Sequence, residues 1–333
     1  ASSTARETAM NRESAARLTR TEILWSMLSP ESDYPARELA EAWKNVLLFS
    51  EHTWGASASG PDPYSQFTKD LWAGKKMYAD SADVQSRRLC DETMAGITAG
   101  EGYVQVLNTN LWPESLIPVP MPVPGMKLGI ANVVTVAADL TGKRLLAPSG
   151  EPVAVQRLHD GGWIFLAEEV PALSSSVYRI VPAASSAKAK KSPAAPVSMI
   201  GGNVLDNGLV RVAVDPAKGT IRSLKAAGAD YEYAAGEGLN DYIYSGRIAA
   251  DPRGIDRVTR VEVLDDGPVA ATLRIVSDAP GCNALWRDVT VYRGLGRVDI
   301  RNTVDKQDIL EHESVRFVFP FNFAHPEITM DLA

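Results

Sequence analysis

An α+β fold, with helices first and antiparallel sheets after them, is what this chain of 333 residues predicts. Two observations predict it. Apolar residues recur at steps of three and four through residues 11–97, the period of one helix face. Near residue 100 the period shortens to two, Pro becomes frequent, and the pattern stays β-like to the end. The expected architecture is a three-helix bundle, then a small β-sandwich, then a larger antiparallel sandwich of supersandwich type that is incomplete. The corresponding segments are 1–99, 100–182, a linker or mobile loop at 183–199, and 200–333.

In the first helix Leu18, Thr21, Leu24, Trp25 and Leu28 share a face, and Ser29-Pro30 ends it. The second starts at Pro35, which has no N–H to leave unpaired in a first helical turn. Its apolar face is Leu39, Trp43, Val46 and Leu47. The third follows Gly60-Pro61-Asp62-Pro63, with Asp62 as N-cap, and carries Phe67, Leu71, Gly74, Tyr78, Ala82, Gln85 and Leu89 as a long stripe. Three such helices with short connections bury their stripes as an antiparallel bundle.

The segments "NVVTVAADL", "PVAVQRL", "GWIFLAEEV" and "SSVYRIVP" read as short strands parted by turn residues. Residues 183–198, "AASSAKAKKSPAAPVS", break the composition and mark the linker. Beyond it, "NGLVRVAVDPAKGTIRSLKAAG" is a hairpin with an Asp-Pro-Ala-Lys-Gly turn. Asp265-Asp266-Gly267 and Gly294-Leu295-Gly296 read as turns between later strands.

Composition narrows the function classes. A hydrophobic fraction of 45% is that of an ordinary globular protein. No apolar run reaches about 18 residues, so no membrane-spanning helix is expected. A net charge of -7 argues against a nucleic-acid partner, which requires a dense basic patch. Cys90 and Cys282 are too distant in sequence to form a disulfide framework, and the compartment stays open. The N-terminus lacks a signal-peptide pattern, and both ends read as cut from a longer chain.

The common catalytic signatures for phosphate, dinucleotide, zinc-protease and serine-hydrolase chemistry are absent. His159 stands before an Asp160-Gly161-Gly162 turn and His325 before Pro326, and both read as incidental. His312, flanked by Asp305, Asp308, Glu311 and Glu313, is a conceivable metal site within a solvated strand connection. His52, in "LLFSEHTWGA" with Trp54 beside it, has two readings. A histidine near a helix C-terminus is favourable for the helix dipole, and Gly55 suits a left-handed cap. Alternatively it is one metal ligand of the three or four that zinc requires. The residues by themselves leave both readings open.

A resemblance bears on that choice. "AWKNVLLFSEHTWGA", the Pro-rich loop after it and "FTKDLWAGKKMYADSADVQSRRL" resemble the middle part of family 38 glycoside hydrolases, the zinc-dependent retaining α-mannosidases. "VQVLNTNLWPES" is similar to the strand opening their small β-domain, and "VLDNGLVRVAVDPAKGTIRSL" to the hairpin opening their large sandwich. "GLNDYIYSG" and "RVDIRNTVDKQDILEHESVRFVFPF" also have counterparts, in the same order. The resemblance implies a zinc cofactor with His52 as one ligand. It also implies Tyr242, with Trp54, at the sugar site, and a mannose-containing oligosaccharide or glycoconjugate as substrate. The family's zinc-binding Asp-x-His pair, its nucleophile and its acid/base carboxyl belong to an N-terminal α/β domain that this sequence does not contain. No catalytic residue is therefore expected here, and the chain alone is expected to be inactive. A non-catalytic carbohydrate-binding or structural module is the alternative.

Overall fold

Residues 4–51, 58–95, 100–111, 132–168, 170–183, 199–246, 252–309 and 313–325 are described by a computed structural model. The backbone divides into two units. One comprises Ala1–Leu111, Pro171–Val177 and Ile309–Ser314; the other comprises Trp112–Val170, Tyr178–Asp308 and Val315–Ala333.

The first unit is built on helices α1 (Ala5–Leu28), α2 (Ala36–Ser50) and α3 (Gln66–Ala95). Asn11 near the start of α1 reaches Val46 and Ser50 near the end of α2, and Lys75 early in α3 reaches Leu48. Successive helices therefore run antiparallel. Leu18, Leu39, Ala42, Val46, Ala82 and Leu89 form their shared core.

The helices are where the periodicity places them, but their buried faces are rotated from the apolar stripes. On α3 the buried residues are Thr68, Lys75, Ala79, Ala82, Ser86, Leu89 and Thr93, whereas Phe67 is 64% exposed. On α2 Ala42 and Phe49 are buried and Leu47 is 65% exposed. Small residues let the helices approach closely, and the buried hydroxyls bond to their own helix. Ser14, Thr21 and Thr93 each donate to the carbonyl four residues back, so they enter the interior without orphaned polar groups. The N-terminal cap of α3 also differs from the expectation. Ser65 Oγ accepts from Thr68 N at 3.3 Å, so Ser65 and not Asp62 takes the capping position.

Strand β1 (Tyr103–Asn108) and the beginning of β7 (Ser174–Pro182) belong to the first unit, where Gln105 Nε2 donates to Ser175 Oγ. In the second unit the rest of β7 pairs antiparallel with β3 (Lys143–Leu146), which pairs in turn with β4 (Pro152–Val153). A separate sheet has the order β2-β6-β5, with β2 at Asn132–Val136, β5 at Val155–Arg157 and β6 at Trp163–Ala167. Strand β3 lies in "GKRLLAP", too short and too basic to show alternation.

The larger β region contains one sheet of β8 (Ile200–Gly201), β9 (Val204–Asp206), β10 (Val210–Val214) and β11 (Ile221–Ala226). A second sheet is the meander β13 (Arg257–Asp266), β14 (Ala270–Asp278), β15 (Cys282–Tyr292) and β16 (Val298–Lys306). Val212, Val214 and Ile221 from the first meet Leu273, Ile275, Val289 and Val291 from the second in one apolar core. A short pair, β12 (Asp241–Ser245) with β17 (Ser314–Val318), completes the region. The fold is thus α+β, with a helical bundle followed by β-sandwiches.

The β10–β11 hairpin forms around the expected Asp-Pro-Ala-Lys-Gly turn, with Val214 opposite Ile221 and a register shift between Ala213 and Val214. Asp215 closes the turn by accepting from the Ala217 and Lys218 amides. Gly219 takes φ +68°, a left-handed conformation that a side chain disfavours.

Candidate functional site

The end of α2 is the first place to look, because the two readings of His52 meet there. A helix C-terminus leaves carbonyls without intrahelical partners and carries partial negative charge. Here other helices serve those carbonyls. Asn11 Nδ2 of α1 donates to Val46 O at 3.3 Å and to Ser50 Oγ at 3.0 Å. Lys75 Nζ of α3 donates to Leu48 O at 3.1 Å and pairs with Glu51 at 2.6 Å. The helix stops at Glu51, whose ψ of 146° is extended. An amide and an ammonium from neighbouring helices therefore serve the Val46 and Leu48 carbonyls. His52 and Trp54 themselves lie outside the described residues.

Tyr242 lies on β12 and is fully buried. Its Oη donates to Pro280 O at 2.6 Å, and its ring meets Phe317 edge-on at 5.7 Å. Tyr244, Ala279, Cys282 and Leu285 complete its cluster. These surroundings are those of a core residue. The ring is not on an accessible pocket wall in this chain.

Next to it, Asn240 (φ +64°) exchanges two amide hydrogen bonds with Asn302, at 2.9 and 2.8 Å. Burial raises the carboxyl pKa of Asp241. The guanidinium of Arg287 is fully buried and donates to Ser277 Oγ at 2.9 Å, to Lys218 O at 3.2 Å and to Asn240 O at 3.4 Å. Its desolvation pushes the pKa down to about 10 against the attraction of Asp241, so it stays charged at neutral pH. Arg287 joins the β10–β11 turn to the start of β12 and so fixes the segment that presents Tyr242.

Among the described residues, no group of three or more His, Cys, Asp or Glu stands close enough to hold a metal ion. A zinc site needs three or four converging ligands, so the described residues do not make one, and no reaction step through zinc follows from them. Glu311 and His312 lie outside the described residues. Cys90 and Cys282 are free thiols, and burial raises the pKa of Cys282, which keeps it protonated and unreactive.

The histidine that reads as incidental does not stand alone. His159 Nδ1 lies 2.9 Å from Asp265 Oδ2, and its backbone N–H donates to Asp265 Oδ1 at 2.8 Å. Both oxygens of a carboxylate with only 6% of its side chain exposed are thereby engaged by one residue. The pair borders a groove of 700 Å³ between residues 155–161 and 264–268. Beside it, the buried Gln156 accepts from the Val269 and Ala270 amides and donates to Ala270 O. Asp265, read from the sequence as a turn residue, instead lies near the end of β13, its partner sits in a turn 106 residues away, and nothing local in either one signals the other.

A scan against protein-family models gives no match for this chain, and a search of curated proteins gives none either.

Proposed function

We propose that these 333 residues form the helical and β-sandwich portion of a zinc-dependent retaining glycoside hydrolase of the α-mannosidase type, acting on terminal α-mannosides. The observation that carries this reading is the ordered series of family 38 resemblances from "AWKNVLLFSEHTWGA" to "SVRFVFPF". A bundle followed by two sandwich regions is the element order such a portion requires.

In a retaining mechanism one carboxylate forms a glycosyl-enzyme and a second carboxyl protonates the leaving oxygen. Neither is assigned to this chain. Its own part would be to present His52 as one zinc ligand, with Trp54 beside the sugar. Lys75 and Asn11 hold the end of α2 immediately before that loop. Tyr242, buried here, would support the pocket through the β12 backbone rather than by ring contact. The test is hydrolysis of an aryl α-mannoside by the whole protein. Chelator-sensitive activity that is lost in His52→Ala is expected. Full activity in His52→Ala would remove the ligand assignment.

A second reading, a non-catalytic carbohydrate-binding module, draws on one feature of the large sandwich. Phe319, Phe321 and Phe323, in the segment after β17, stack with their rings within 25° of parallel between neighbours, and all three are exposed. Tyr233 extends the row. An exposed aromatic strip of this kind marks a binding surface more often than chance exposure does. Calorimetry of the isolated chain against mannosides separates the readings. Saturable heat abolished by Phe321→Ala supports the module; absence of heat removes it.

A further inference from the structure

The groove beside His159 lies wholly within the second unit and plays no part in the glycosidase reading. Its floor is fixed. Gly267 passes so close to Gln156 that a side chain at that position would collide with the amide, and the Gln156 hydrogen bonds pin both walls. Its charges are sorted. The Asp265 carboxylate is turned onto the His159 backbone and ring, and Asp266 Oδ1 accepts from the Met199 amide at 3.3 Å. The cation on this face is Arg157. Arg157 lines the groove, is exposed, and forms no hydrogen bond or ion pair among the described residues. Its guanidinium reaches over Gly161, within 3.8 Å of where a Cβ would stand there, so it lies across the same turn that carries His159. With Nδ1 beside Asp265, the ring presents Nε2 on its other edge, and the carboxylate fixes the orientation of the imidazole.

We propose that this groove binds a small oxyanion, the phosphate of a free ion or of a phosphorylated sugar, between the Arg157 guanidinium and the outer edge of the His159 ring. Arg supplies a planar donor pair suited to phosphate oxygens. Asp265 holds the ring from behind and leaves its other edge to the anion. Three carboxylates stand near the site: the buried Asp265 is spent on His159, Asp266 is drawn to the Met199 amide, and Asp160, exposed on the same turn, accepts from the Gly162 amide at 2.9 Å.

Calorimetric titration of the chain at constant ionic strength tests this, with inorganic phosphate, glucose 6-phosphate and glucose as probes. Saturable binding of both phosphorylated probes and none of glucose is expected. Arg157→Gln, an exposed residue whose change leaves the fold intact, should weaken phosphate at least about tenfold. His159→Asn should weaken it as well, and circular dichroism of both variants checks folding. Absence of saturable phosphate binding, equal binding of glucose, or affinity unchanged in Arg157→Gln would each overturn the assignment.

Discussion

At the scale of single residues, Gly219 and Arg287 are the most constrained pair in the large sandwich. The glycine's φ of +68° closes the β10–β11 turn, and a Cβ there would collide with the Arg287 guanidinium and stand 2.8 Å from Ile275 Cγ2. Gly219→Ala therefore combines a left-handed backbone penalty with overpacking against a buried cation. We expect a loss of about 2–4 kcal/mol, read as a lower urea midpoint with unchanged slope. Arg287 has no carboxylate in contact and relies on two carbonyls and a hydroxyl. Its charge is carried by backbone dipoles, which is why the turn cannot move away from it.

At the scale of elements, the bundle is held by polar contacts between helices as much as by its apolar core. Lys75, with 10% of its side chain exposed, closes the end of α2 through Leu48 O and Glu51. Lys75→Met leaves that carbonyl and carboxylate without their cation, and a loss of about 1–3 kcal/mol in thermal or urea unfolding is expected. Arg17 of α1 and Arg87 of α3 both bind Asp83. Partial burial pushes the Asp83 carboxyl up, and the hydrogen bonds and charges of Arg87 and Arg17 more than reverse it, so its pKa lies below the ordinary 3.8. A carboxylate with a depressed folded-state pKa contributes its full stabilisation above the unfolded value and loses it as pH falls through the folded one. Asp83→Asn should therefore be less stable than the wild type at pH 7, and the gap should close progressively below pH 3.8. Urea titrations across that range give the measurement.

At the scale of the whole molecule, the β-sheets of the second unit act together because of one buried glutamine and a small apolar cluster. Gln156 makes three hydrogen bonds to Val269 and Ala270, and Ile164, Val269, Ala270, Tyr292 and Leu295 pack around them. Gln156→Ala leaves the buried Val269 and Ala270 amides without this acceptor, while Ala270 O keeps the Gly267 amide, at a cost of about 2–4 kcal/mol. Hydrogen exchange should show the Val269 and Ala270 amides losing protection before those of the β10–β11 hairpin. A uniform loss across both regions would show instead that the sheets unfold as one.

The sequence by itself determined the order of elements, the helix positions, the β10–β11 hairpin and the turn at Gly294-Leu295-Gly296. Each of these is a local property, set by periodicity or by the few residues able to adopt a turn's dihedral angles. Which helix face is buried was not legible, because Thr68, Ser86 and Thr93 satisfy their hydroxyls on nearby backbone carbonyls and small residues decide the packing distance. The family resemblance rests on motifs along the chain, and it singles out His52 without supplying the ligands a metal needs. Only the tertiary structure decided that Lys75 and Asn11 cap α2, that Tyr242 is a core residue, and that His159 meets Asp265. Those contacts join residues 24 to 106 positions apart. Pairing over such distances depends on how sheets and helices stack, which no local pattern encodes.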